Sequence, residues 1–298
     1  MVSDNLRGAL HMLATTACFV LGDTLIKAAA ADLPVFQVVF LRGLLATSFM
    51  AMLAWHRGIL RLPSNRRDRR LILVRSVAET GGMVPFFIAL ANMPIANASA
   101  ILQALPLVVT LAGALFLGEA VGWRRLAAIA VGFCGVLMIV QPGGPGFNGY
   151  SLLVLVTVAL VSVRDLSVRL MSPGIPVLVT GTAMAACATT GAGIASIFQD
   201  WTMPGPMQIA LIAGAGLCIV GGYVFSILSM QSGALWFVTP FRYAALIWAL
   251  ILGWLVFDEW PNALTLGGAA LVVATGIFTI LRERQAQQRA ILATSRRV

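Results

Sequence analysis

The 298-residue sequence is poor in charged residues, lysine, histidine and cysteine, and these shortages exclude several classes of protein. Only 10% of the residues are charged, whereas 59% are hydrophobic. A soluble domain carries about 25% charged and about 45–50% apolar residues, so this chain cannot cover a globule with polar surface. Soluble enzymes are therefore excluded as a class.

The scarcity of lysine, histidine and cysteine argues against cofactor and metal chemistry. Lys27 is the only lysine, and no G-x-x-x-x-G-K-[ST] nucleotide loop surrounds it. The two histidines, His11 and His56, form no H-E-x-x-H pattern, and the four cysteines show no C-x-x-C spacing. We therefore expect no ATP drive, no catalytic centre, no metal and no cofactor.

The apolar residues recur in blocks of about 20 residues, which is the length of a membrane-crossing helix. Pro, Gly and Asn punctuate most junctions between these blocks. The pattern predicts an all-α polytopic membrane protein with ten transmembrane helices, which we call the first to tenth spans. Their expected limits are 8–28, 34–54, 70–91, 96–117, 122–140, 149–171, 175–198, 208–230, 234–257 and 262–281.

The placement of arginine orients these spans. The connections after the second and fourth spans and both ends of the chain hold most of the arginines, and ten spans put these segments on one side. Positively charged segments stay in the cytoplasm, so we expect both termini to be cytoplasmic. The same rule explains the net charge of +9. We therefore expect a lipid bilayer, rather than nucleic acid, as the partner.

The second half of the chain resembles the first at a nearly constant offset. An Asp-x3-Lys-x6-Pro pattern begins at Asp23 and returns as Asp-x3-Arg-x6-Pro from Asp165. A Gly-Gly pair recurs in the third and eighth spans, and Gly-x5-Glu ends at Glu119 and again at Glu259. We interpret this as two five-helix repeats, 1–143 and 144–298. An odd number of helices inverts the second copy, as in many secondary transporters.

The sequence around the fourth and fifth spans is similar to an EamA domain, the repeat unit of the drug/metabolite transporter superfamily. The similarity is carried by residues 102–110, 115–119, 123–125, 132–135 and 141–143. It covers the chain as two copies, although Asp258-Glu259 replaces Gly118-Glu119 in the second copy and no arginine pair follows.

This resemblance implies ten helices around a central cavity lined by the third, fourth, eighth and ninth spans. It also implies a monomer in the bacterial inner membrane that transports a small molecule. YddG-like amino-acid exporters are the subgroup it most resembles, so amino-acid export is the specific expectation. Transport of another metabolite, of drug-like compounds or of nucleosides is the alternative within the superfamily.

Charged residues inside the spans are costly and tend to face a cavity or one another. Glu79 lies one helical turn after Arg75 in the third span. Glu79 is either a cavity carboxylate for a substrate amine or a coupling proton, or the partner of Arg75 in a local ion pair. Asp23 and Arg42 lie at comparable depth in the first and second spans and form a second candidate pair, with either a functional or a structural role.

A substrate pocket is predicted where the fourth and ninth spans meet. Ser99 and Gln103 share a face of the fourth span, and Trp236, Thr239 and Tyr243 share a face of the ninth. Such a set offers hydrogen-bonding groups and aromatic walls to a ligand. The alternative is that these groups hydrogen-bond the helices together.

Glycine and proline residues mark candidate hinges. Proline removes a backbone hydrogen bond and glycine relaxes steric limits, so these positions either bend during transport or allow close packing. The candidates are Gly81, Gly82, Pro106, Gly221, Gly222 and Pro240.

Two other classes of function fit the sequence less well. A membrane-embedded enzyme would need convergent catalytic groups, whereas Asp258 and Glu259 stand alone without an Asp-rich metal motif. A channel has no special need for an inverted repeat. We therefore predict a secondary transporter that works by alternating access.

Overall fold

The computed structural model describes residues 2–59, 63–118, 122–144, 147–172, 175–232 and 235–295. Within them, ten helical stretches are long and apolar enough to cross a membrane, which confirms the all-α fold with ten spans. The helices are α1 (Val2–Ala29), α2 (Val35–His56), α3 (Arg66–Asn92), α4 (Ile95–Leu102), α5 (Leu105–Leu117), α6 (Trp123–Val140), α7 (Tyr150–Arg169), α8 (Val177–Ser196), α9 (Pro206–Gln231), α10 (Leu235–Val238), α11 (Ala244–Phe257) and α12 (Ala263–Ser295), with a 3-10 helix over Thr239–Tyr243.

The largest differences from the expected limits lie at the two ends of the chain. Helix α1 begins at Val2 rather than at residue 8, and α12 continues to Ser295 rather than ending at 281. The tail is rich in Arg, Gln and Ala, which favour helix without being uniformly apolar. Hydropathy therefore located the membrane-crossing part of α12 and missed its polar extension.

The fourth and ninth spans are interrupted, so the continuous helices expected there are wrong. Helix α4 ends at Leu102 and α5 begins at Leu105, with Pro106 in its first turn. The ninth span passes from α10 through the 3-10 helix, which contains Pro240, into α11. Proline lacks an N–H and clashes with the preceding turn, which explains the interruption in each span.

The contacts between spans follow a twofold pattern. Each main contact has a counterpart between the equivalent spans of the other half. The first span packs against the eighth and ninth, and correspondingly the sixth packs against the third and fourth. The second span packs against the eighth, and the seventh correspondingly packs against the third. The second–seventh, fourth–ninth and fifth–tenth contacts each join two spans that are equivalent in the two halves. A twofold axis between two five-helix units would produce this arrangement, and the boundary at 143/144 stays a prediction.

The paired glycines of the third and eighth spans lie at helix contacts. A Cβ added to Gly82 would lie 3.3 Å from the Val161 side chain of the sixth span, and one added to Gly222 would lie 2.5 Å from the Phe19 ring of the first. Gly81 likewise lies against the sixth span, and Gly221 lies against the first. Helices α3 and α9 run through these glycines without interruption. The contacts account for close packing, and bending at these positions stays a prediction.

Two glycines bring the backbones of the fifth and tenth spans close together. A Cβ on Gly268 would lie 2.5 Å from the Gly135 carbonyl oxygen, and a Cβ on Gly135 would lie 2.8 Å from that of Gly268. Backbone atoms cannot move aside as the end of a flexible side chain can. These two glycines therefore fix the separation of the two spans.

Replacing Gly268 with alanine should force the fifth and tenth spans apart. We expect the free energy of unfolding to fall by about 1–3 kcal/mol, the usual cost of overpacking, measured as a lower melting temperature of the detergent-purified protein. Gly149→Ala is the matched control, because Gly149 has helical backbone angles and open space around it. Equal melting temperatures for the two variants would contradict this account of the packing.

Candidate functional site

An ion-pair triad lies between the third and sixth spans. The Arg164 Nη1 atom donates to the Glu79 carboxylate at 2.7 Å, and Arg164 Nε donates to Asp165 at 2.8 Å. The three side chains retain only 19%, 24% and 27% exposure for Arg164, Glu79 and Asp165. One guanidinium thus contacts two carboxylates inside the bundle.

The triad answers one question that the sequence left open. Glu79 pairs with Arg164 of the sixth span rather than with Arg75 of its own helix, so the local Arg75–Glu79 pair was the wrong alternative. Adjacent residues normally point to different faces of a helix. The long side chain of Arg164 nevertheless reaches back to Asp165 while it contacts the third span.

Arg75 lies close to the triad but has a poor partner. Its Nε contacts the Met184 sulfur at 2.7 Å, and its Nη1 is buried without a hydrogen-bond partner. A thioether is only a weak acceptor. Glu79 and Asp165 attract the Arg75 charge, and Arg164 repels it.

Asp23 and Arg42 complete the polar interior from the first and second spans. The Arg42 guanidinium lies 5.3 Å from the centre of the Phe87 ring, and its buried Nε has no hydrogen-bond partner. The charges of Asp23 and Arg42 attract each other. Tyr223 of the eighth span also lies within electrostatic reach of Arg42.

These residues form what we call the charged cluster. It comprises Asp23, Arg42, Arg75, Glu79, Arg164, Asp165 and Tyr223, and each of them is half-buried. Five spans from both predicted repeats contribute to it, so it cannot face the lipid as a whole. Charged groups in such a position pair with one another or face a cavity.

The predicted pocket residues lie where the fourth and ninth spans are interrupted. The Gln103 side-chain amide donates to the Tyr243 carbonyl at 3.1 Å and so joins the two interruptions. Tyr243 is 5% exposed, its hydroxyl has no hydrogen-bond partner, and the hydroxyl occupies the space that a side chain at Gly276 would fill. The Gln103–Tyr243 contact therefore packs these spans together.

The other members of the predicted pocket contribute less to this contact. Ser99 and Thr239 are half-buried, and the Ser99 carbonyl accepts the Gln103 N–H at 3.2 Å. Trp236 belongs to α10, but its side chain lies outside the described residues. A ligand-binding role for Glu79, Ser99, Gln103, Trp236, Thr239 and Tyr243 stays a prediction.

A second ion pair ties the two halves together at the end of the bundle opposite the chain termini. Lys27 Nζ lies 2.6 Å from Glu259 Oε1 and donates to the Met93 carbonyl at 2.7 Å. Glu259 Oε2 accepts the Ile95 N–H at 3.1 Å, and the Lys27 ammonium lies 4.8 Å from the Phe257 ring centre. In the sequence repeat, Arg169 stands at the position equivalent to Lys27 and Glu119 at the position equivalent to Glu259. Glu119 lies outside the described residues.

A ten-span helical bundle with a half-buried charged interior is the architecture of a multi-pass membrane transport protein. Residues 6–141 match the EamA-like transporter family. The chain belongs to that family, which confirms the resemblance seen in the sequence. Family and relatives alike are transporters rather than enzymes.

The relatives that the chain resembles carry different small metabolites. The pseudopaline exporter CntI of Pseudomonas aeruginosa is 30% identical, with 93% of this chain and 97% of the relative covered. An S-adenosylmethionine uptake transporter of Rickettsia conorii is 23% identical over 90% of each chain. A riboflavin transporter of Rhizobium johnstonii is 29% identical over 73% of this chain and 72% of the relative.

A solved crystal structure shares the fold. It aligns with a TM-score of 0.63 at 18% identity and covers 94% of this chain and 97% of its own. At this identity the likeness shows the fold alone. It agrees with the ten-span bundle described above.

Removing the central cation of the triad should destabilise the bundle. Arg164→Met leaves Glu79 and Asp165 without their shared partner, and we expect a loss of about 1–3 kcal/mol in unfolding free energy. The double variant Glu79→Gln/Arg164→Met should recover part of that loss, because it removes one of the unpaired carboxylates. Thermal melts of the purified variants measure both effects.

Arg124→Met is the matched control for this series, because Arg124 is exposed and lies outside the cluster. It should melt like the unmodified protein. A double variant less stable than Arg164→Met alone would contradict the pairing of Glu79 with Arg164.

Proposed function

We propose that this protein is a secondary transporter that exports small metabolites, with amino acids as the main class, across the bacterial inner membrane. The observation that carries the proposal is the charged cluster, which offers three guanidinium groups and three carboxylates between the two predicted halves. A zwitterion needs both signs of charge in one site. Export is supported by the pseudopaline exporter, with which this chain shares 30% identity over nearly its whole length.

The proposed orientation has both termini in the cytoplasm. The arginine-rich connection before α3, the Arg124–Arg125 pair and the helical tail all lie at the end of the bundle that carries the termini. Positively charged segments remain cytoplasmic. The Lys27–Glu259 pair then lies at the periplasmic end, and the transporter acts as a monomer.

Transport by purified protein in liposomes tests the proposed substrate. We expect counterflow of at least one labelled amino acid that saturates with concentration and is absent from empty liposomes. Riboflavin and S-adenosylmethionine belong in the same panel, because related transporters carry them. Saturable flux of riboflavin or another non-amino-acid metabolite alone would overturn the amino-acid proposal, and a flux that never saturates would indicate a channel.

Alternating access predicts that the Lys27–Glu259 contact must open during each cycle. Lys27→Cys/Glu259→Cys joined by a short cleavable crosslinker should lose transport, and cleavage of the linker should restore it. Lys27→Cys/Met93→Cys is the matched control. Both of its positions lie in the first predicted repeat, and the Lys27 ammonium already donates to the Met93 carbonyl.

The control crosslink should leave transport unchanged, since it does not join the two halves. Full transport after complete crosslinking of positions 27 and 259 would contradict the rocking of one half against the other.

A further inference from the structure

The charged cluster contains groups that its own ion pairs leave unused. Arg164 is engaged by Glu79 and Asp165. In contrast, neither Asp23 nor Arg42 makes a hydrogen bond or ion pair within the described part of the chain. Arg42 has five N–H donors and Asp23 has two acceptor oxygens, so a large hydrogen-bonding capacity remains unfilled here.

The separation of Asp23 and Arg42 is informative. Their charges attract each other, yet the groups are farther apart than the roughly 4 Å that defines an ion pair. Two opposite charges inside a bundle gain most by direct contact, because desolvated charges are costly when they stand alone. A pair held apart leaves room for a ligand that carries both complementary charges.

The surroundings of Arg42 suit the recognition of a carboxylate. Phe87 covers the guanidinium at 5.3 Å and limits the directions from which a ligand can approach. Arginine presents parallel donors that match the two oxygens of a carboxylate, whereas lysine offers a point charge. Asp23 supplies the opposite charge on the neighbouring span, where an ammonium group can be bound.

We propose that Asp23 and Arg42 form a subsite for the α-aminocarboxylate group of the substrate, with the ammonium on Asp23 and the carboxylate on Arg42. This inference rests on the proposed function and names the chemical group that the transporter recognises. The substrate side chain then extends towards the rest of the cavity. Compounds that lack either charged group fill only half of the subsite.

Analogues of one amino acid test the subsite. In liposomes containing the full chain, the amino acid of the panel with the highest flux is compared with its amide, which lacks the carboxylate, and with its deaminated acid. Each analogue competes with the labelled amino acid. We expect the amide and the deaminated acid to compete at least tenfold more weakly than the amino acid itself.

Conservative variants assign each charge to its residue. Arg42→Lys should raise KM for the amino acid at least tenfold with a smaller change in maximal rate, and should largely abolish discrimination against the amide. Asp23→Asn should abolish discrimination against the deaminated acid and leave discrimination against the amide. Arg124→Lys, a conservative change outside the cluster, should behave like the unmodified protein.

The outcomes separate the two proposals. A protein that moves no amino acid overturns both the proposed function and the subsite. A protein that moves amino acids while Arg42→Lys and Asp23→Asn both keep the full preference overturns the subsite alone. If Arg42→Lys fails to fold, as judged by gel filtration and melting, Asp23→Asn still decides the result through its own analogue.

Discussion

The burial of charge inside an apolar bundle is the constraint on which this structure depends. A charged side chain within a membrane is expensive unless it is paired or faces water. The Arg164 guanidinium meets this requirement for two carboxylates at once, since Glu79 and Asp165 both lie within 2.8 Å of it. The third and sixth spans are thereby joined, and they belong to different predicted repeats.

The same constraint applies to the charged groups of the cluster that have no ion-pair partner. In a cluster with only a structural role, every charged group would be expected to contact a partner, as the groups of the triad do. Arg42, Arg75 and Asp23 instead keep unfilled hydrogen-bonding capacity, so the cluster combines a fixed part with an open part. We propose that the fixed part holds the two predicted halves in register and that the open part binds and releases a ligand without breaking the triad.

Much of this molecule can be predicted from its sequence, because a lipid environment imposes simple rules on length and polarity. Block length indicated ten spans, and the in-helix charge at Glu79 marked the polar interior. The Glu79–Arg164 pair was missed because it joins spans that are distant in sequence, and no spacing rule relates them. Pro106 and Pro240 were recognised as candidate hinges or sites of close packing, but the sequence did not predict that the helices are interrupted there.

We propose that the charged cluster is an aqueous site that each side of the membrane reaches in turn. The most direct test uses a version without the four native cysteines and with Asp165→Cys as its single thiol, labelled by a membrane-impermeant thiol reagent. We expect labelling in both right-side-out and inside-out vesicles, and slower labelling from both sides when a transported amino acid is present. Labelling from one side only, with or without substrate, would contradict it.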